Sequence, residues 1–123
     1  MKKFSKSWIS SKKPNKQRKY RFNAPLSIKR NFLSAHLSKE LIKKYLTRSV
    51  SLVKGDKVKI VRGQFKGKTG KIIKSLVKKS KVYIENIQNI KNDGTKTYYP
   101  IDPSNVIITE PNLTDKKRKM SKK

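Results

Sequence analysis

The sequence predicts a mainly β protein: a small closed or nearly closed barrel over residues 50–110, preceded by a basic extension with two short helices and followed by a basic tail. Three observations carry this. From residue 50 onward, five short runs of alternating or β-branched residues recur within about 56 residues, separated by Gly, Asn, Asp and Pro. Before residue 50 the apolar spacing is helical where it exists at all. The charge is also segregated: residues 1–54 carry net +15, residues 55–110 net +7 and residues 111–123 net +5. The middle segment is therefore the one best able to form a core.

Residues 1–24 show no apolar periodicity. "SSKKPNKQRKYRFN" is polar and basic, and alone it buries too little apolar surface to offset its ordering entropy. The expectation is an arm that orders on RNA, with Phe4, Trp8, Tyr20 and Phe22 as stacking groups among the lysines. Residues 25–49 form the helical segment. Pro25 suits a first helical turn, and Leu26, Ile28, Phe32 and Leu33 make a loose apolar stripe. Ser38 is a good N-cap, Glu40 sits in the favoured first turn, and Leu37 can staple onto Ile42. A short helix over 39–46 follows, with Leu41, Ile42, Tyr45 and Leu46 on its apolar face. His36 lies between the helices with no acidic or histidine neighbour in sequence, which assigns it a structural or solvent-facing place.

The barrel strands follow in order. "DKVKIVR" alternates, with Val58 and Ile60 inward and Lys57 and Lys59 outward. "GKIIKSL" and "KVYIENI" are the second and third, the latter with Val82 and Ile84 inward. "KNDGTK" is a hairpin turn, because Asn92, Asp93 and Gly94 tolerate positive φ. "TKTYYPI" is ended or bulged by Pro100, and "PSNVIIT" is the last strand.

A formal charge of +27, from 34 basic and 7 acidic residues, points to a polyanionic partner, nucleic acid before an anionic membrane. There is no cysteine and a single histidine, which excludes disulfides and leaves no basis for a metal or cofactor. No run reaches the ~20 apolar residues of a membrane span, and the basic N-terminus lacks the apolar segment of a secretory signal. The seven carboxylates are scattered, with no placed acid–base pair and no nucleophile beside a base, so no enzyme and no small-molecule substrate is expected.

"VRGQFKGKTGKII", residues 61–73, imitates a phosphate-binding P-loop through Gly67-Lys68-Thr69. The spacing fails: the first glycine should fall at Arg62, and a β-branched run follows where a helix is needed. Gly63, Gly67 and Gly70 instead suit a tight strand–loop–strand turn that brings backbone close to a ligand. Arg62, Lys66, Lys68 and Lys71 supply charge along it, and Phe65 is placed either to pack on the barrel rim or to stack on an unpaired base.

"KGDKVKIVRGQFKGKTGKI", residues 54–72, resembles the KOW motif of SH3-like barrels found in ribosomal proteins and transcription elongation factors. With "QRKYRFNAP" (17–25), "HLSKELIKKYLTRSVSLVKGD" (36–56) and "IDPSNVIIT" (101–109), the chain is similar to the archaeal and eukaryotic form of the large-subunit ribosomal protein twenty-four family, twenty-six in the older eukaryotic series. The short tail favours the archaeal form. The resemblance implies binding to the 5′ region of large-subunit rRNA, support of early subunit assembly, and a place near the polypeptide exit tunnel. It implies a cytoplasmic, ribosome-bound monomer whose partners are rRNA and neighbouring large-subunit proteins. The rRNA-contacting residues it implies are Lys16, Arg18, Lys19 and Arg21 in the arm, Arg48 and Lys54 at the barrel entry, and Arg62, Lys66, Lys68 and Lys71 in and after the KOW loop; Lys12, Lys13, Arg30 and Phe65 beside them are further rRNA-binding candidates by residue type. The Asn92–Gly94 tip would face the tunnel exit. A KOW-type transcription elongation factor, or another nucleic-acid-binding protein, is the alternative.

Overall fold

The structure, a computed structural model, describes residues 4, 5, 8, 11–118 and 120; the rest of the arm and of the basic tail lies outside the described residues. The elements run α1 (Pro14–Asn23), α2 (Leu26–Phe32), β1 (Ser34–Leu37), α3 (Lys39–Tyr45), β2 (Ser49–Ser51), β3 (Lys57–Ile60), β4 (Thr69–Leu76), β5 (Lys81–Ile84), β6 (Gln88–Ile90), β7 (Lys96–Tyr98), a 3-10 turn (Pro103–Asn105) and β8 (Val106–Glu110).

The five runs anticipated after residue 50 build a barrel-like sheet. β3 pairs antiparallel with both β4 and β8, and β4 pairs with β5. The outer edge of β5 meets the chain arriving from β7 through reciprocal backbone bonds between Val82 and Ile101 at 2.9 and 3.0 Å. The 3-10 turn then carries the chain back to β8, and Val61 N–H donates to the Asn105 carbonyl. Alternation works as expected: Val58, Ile60, Val82, Ile84, Val106 and Ile108 are buried while Lys59 faces out. Asn86 takes a positive φ of 63°, so the third run is a strand only over β5 and the chain bends before β6, with Ile87 buried after the bend. β6 and β7 form the expected hairpin, closed by Lys91 N–H to the Thr95 carbonyl at 2.9 Å.

The extension differs from its expectation in two ways. Residues 14–23 are helical, although no α1 residue is buried. Pro14 presets the first turn, and Lys, Gln and Arg are good helix formers, so propensity suffices where periodicity is absent. The segment 25–49 also contains one strand, β1, and the first residue of a second, β2. β1 pairs parallel with β8 (His36 opposite Ile107) and antiparallel with β2 (Ala35 opposite Val50), which widens the barrel sheet by two strands. Ala35 and Leu37 point into the core, and His36 points out and is exposed.

α3 follows its signals. The Ser38 side chain accepts from Leu41 N–H at 3.5 Å, Glu40 lies in the first turn, and Leu37 and Ile42 both join the core. The helix ends one residue early: Leu46 is its left-handed cap at φ 53° and is exposed, so it leaves the apolar face to Leu41, Ile42 and Tyr45.

Candidate nucleic-acid interface

The KOW loop connects β3 to β4. Gly67 N–H donates to the Ile60 carbonyl at 2.8 Å and Ile60 N–H to the Lys68 carbonyl at 2.9 Å, which clamps the loop at its base. Gly63 and Gly67 take φ of +91° and +88°, with open space where a Cβ would stand. Their requirement is thus conformational. Gly70 differs: it lies inside β4, and a Cβ there would sit 2.7 Å from the Glu85 carbonyl oxygen and 2.8 Å from Ile84 Cγ2. Gly70 lets β4 and β5 approach each other rather than turning the loop. Thr69 opens a strand, not a helix, so no helix N-terminus faces this loop as a P-loop requires.

Phe65 is half-buried against the core and meets the Tyr99 ring at 5.2 Å. The Lys68 ammonium lies 5.1 Å from the Phe65 ring centre, a cation–π contact that draws it along the loop surface. Arg62, Lys66 and Lys71 are exposed.

On the extension, Lys12, Lys13, Lys16, Arg18, Lys19 and Arg21 are all exposed. Helical spacing puts Lys16, Lys19, Tyr20 and Asn23 on one face of α1. Arg18 donates to the Asn15 side chain on another face, and the Arg21 guanidinium sits 5.1 Å over the Phe32 ring. Of the four arm aromatics, Phe4 and Trp8 pack on Tyr20, each with ring centres 4.9 Å apart, and Tyr20 reaches Phe32. Phe22 stands apart at 82% exposed. Arg30 lies in the last turn of α2, Arg48 precedes β2, and Lys54 follows it; all three are exposed.

The fold draws two of these groups toward one place. A groove of about 290 Å³ is lined by Arg21, Phe32, Ser34 and the 3-10 turn, and a second of about 420 Å³ by Arg62, His36, Ser34 and the same turn. Ser34, Pro103 and Ser104 are common walls, so arm and KOW loop present arginines on either side of one ridge.

One structural contact was not legible in sequence. Asp56, the buried charged residue among those described, receives Arg118 Nη1 at 2.5 Å and Nη2 at 2.8 Å, together with the backbone N–H groups of Val53 (2.9 Å) and Asn112 (2.7 Å). Arg118 also donates to the carbonyls of Asn112 and Ser51. A Cβ at Gly55 would stand 2.7 Å from Asn112 Nδ2, so the turn before β3 is shaped to seat the tail. Asn112, first residue of a formal glycosylation sequon, spends its amide on the Lys54 carbonyl and on Thr114. The tail through Arg118 is thus tied to the barrel rather than trailing from it. Aspartate in a turn before a strand is a weak signal, and nothing in "KKRK" marks one cation out from its neighbours.

Among the described residues, ion pairs engage only Lys57 with Glu110, Lys81 with Asp102 and Arg118 with Asp56. Among the described residues, the other Lys and Arg side chains have no carboxylate partner within the fold. No described helix is long and apolar enough to cross a membrane. Over 111 residues the chain is 43% identical to large ribosomal subunit protein uL24 of Methanosarcina barkeri, spanning 90% of this chain and 96% of that one. A family model that describes the eukaryotic ribosomal protein twenty-six and its archaeal counterpart, twenty-four, matches residues 11–122, extension and barrel together, and the chain belongs to that family of ribosomal proteins.

Proposed function

We propose that this protein is a structural, non-catalytic component of the large ribosomal subunit that binds the 5′ region of large-subunit rRNA. It supports early subunit assembly and lies near the polypeptide exit tunnel, with the Asn92–Gly94 tip toward that opening. The observation that carries the reading is the unpaired charge: among the described residues only Lys57, Lys81 and Arg118 are matched by a carboxylate, in a chain of formal charge +27. Such a surface is self-repelling until a polyanion neutralises it. Family membership supports rRNA as that polyanion, and the family match over the extension favours it over a KOW-type transcription factor.

The contact residues are those of α1 and the KOW loop: Lys16, Arg18, Lys19 and Arg21 on one side, Arg62, Lys66, Lys68 and Lys71 on the other. They act as phosphate contacts that set position, while shape and unpaired bases set specificity. Neighbouring large-subunit proteins complete its surroundings, and the chain acts as a single copy in the cytoplasmic ribosome. The test is sedimentation with large subunits from cell extract. Retention through a high-salt wash supports an integral subunit protein, and release at low salt or migration away from subunits refutes it.

A further inference from the structure

A cleft of about 170 Å³ opens between the N-terminal segment and α1. Its walls are Phe4, Trp8 and Tyr20, and Lys16, Lys19 and Asn23 lie along its rim. The residues from α1 share one helical face by spacing, so the rim is fixed by the helix rather than by a loop. The rings are already ordered against each other: Trp8 stacks on Tyr20 with 26° between planes and Phe4 tilts over it at 40°, both at 4.9 Å.

We propose that this cleft is a receptor for one unpaired nucleotide of RNA: the base stacks on the Trp8–Tyr20 platform and its flanking phosphates lie on Lys16 and Lys19. The proposal rests on the rRNA-binding reading and adds to it a specific site and a preference for single-stranded, unstacked bases. Aromatic faces next to ammonium groups match the two halves of a nucleotide, a π-face and an anion. A duplex offers the anion without an accessible face, so the cleft discriminates where phosphate contacts elsewhere on the protein do not. The Asn23 amide supplies both a donor and an acceptor for the edge of the base.

Trp8 is the sole tryptophan, so its fluorescence reports this cleft. The full chain is titrated with a short single-stranded RNA, with a duplex RNA of equal length, and with inorganic polyphosphate. The expected result is saturable quenching by the single strand, with little change for the other two. Tyr20→Leu should lower single-strand affinity by roughly fivefold to a hundredfold while duplex affinity is unchanged. Phe4→Leu, which leaves α1 untouched, should act in the same direction, and circular dichroism checks that α1 persists in both variants. If the parent binds rRNA fragments but both variants bind single strands as the parent does, the cleft is internal packing and the proposal falls while the rRNA reading stands. If the parent binds no RNA at all, both fall.

Discussion

Replacing Arg118 by Met should destabilise the protein far more than removing any other basic side chain. Asp56 is 0% exposed and the Arg118 side chain 6%. The carboxylate loses two of its four donors and its counter-charge, keeping only the Val53 and Asn112 N–H groups. Breaking a buried pair by removing one partner costs about 3–5 kcal/mol. Two effects pull toward the lower end. The tail can peel away and admit water, and Arg118 Nε is buried without a partner, so the native pair already carries an unsatisfied donor. About 3 kcal/mol is therefore expected, a large share of the stability of a small barrel. For a domain of this size that lowers the thermal midpoint by roughly 10–20 °C. Arg118→Lys should fall between, since an ammonium replaces the charge but not the fork. The assay is urea and thermal unfolding of Arg118→Met, Asp56→Ala and the double variant at low and high salt. The double variant should cost well under the sum of the singles, with little salt dependence because the pair is shielded from solvent. A midpoint shift below about 2 °C for Arg118→Met, or coupling under about 0.5 kcal/mol, would show that the tail is not held this way.

Other expectations follow from the loop, the arm and the hairpin. Gly67→Val should cost about 1–3 kcal/mol because a β-branched residue is strained at φ +88°, whereas Lys68→Ala should leave unfolding nearly unchanged and reduce the salt slope of RNA binding by about one unit or less. Saturable ATP binding that Lys68→Ala removes would overturn the non-nucleotide reading of that loop. Gly70→Ala should destabilise by about 1–3 kcal/mol through the Glu85 and Ile84 contacts, and an unchanged urea midpoint would contradict the close β4–β5 approach. Deleting residues 1–23, which spares buried Ala24, should leave the barrel folded and weaken rRNA binding with a shallower salt slope; affinity unchanged across a salt series would contradict the arm's role. At the hairpin tip, the Thr95 hydroxyl and backbone N–H hold the Asp93 carboxyl below its ordinary pKa. A depressed carboxylate pKa stabilises the tip above the unfolded pKa, and that contribution is lost as pH falls through the folded one. Thr95→Val should move the Asp93 titration upward by NMR; no movement would remove the assigned cause.

The barrel was legible because its signals are local. Val58 and Ile60, or Val82 and Ile84, declare their face by alternation within four residues, and Asn92–Gly94 declares its turn by residue type. Ser38 and Glu40 likewise mark α3 from within its own first turn. Two of the features that escaped, β1 and the Arg118 contact, depend on partners far away in sequence. β1 is four residues with an alanine at a core position, and its parallel partner β8 lies about 70 residues later, so neither β propensity nor a hairpin spacing announces it. Arg118 is one cation in a run of cations until the fold brings Asp56 to it. α1 formed against a periodicity argument because an exposed helix needs no apolar face when its residues and its N1 proline favour it. At the site itself, Phe65 packs through contacts distant in sequence: half-burial and the Tyr99 ring seat it on the barrel rim.

The central claim is that the unpaired positive surface is built for structured large-subunit rRNA. The most direct measurement is a titration of the full protein with a 5′-domain fragment of large-subunit rRNA and with duplex DNA of matched length, each across a series of salt concentrations. The account predicts tighter binding to the rRNA fragment at every salt concentration, a steep fall in log affinity with log salt from many phosphate contacts, and weaker binding with a shallower salt slope when Arg21 and Arg62 are both changed to Gln. Equal affinity for the two polymers, with the same salt slope, would mean that charge alone governs binding and would contradict the claim.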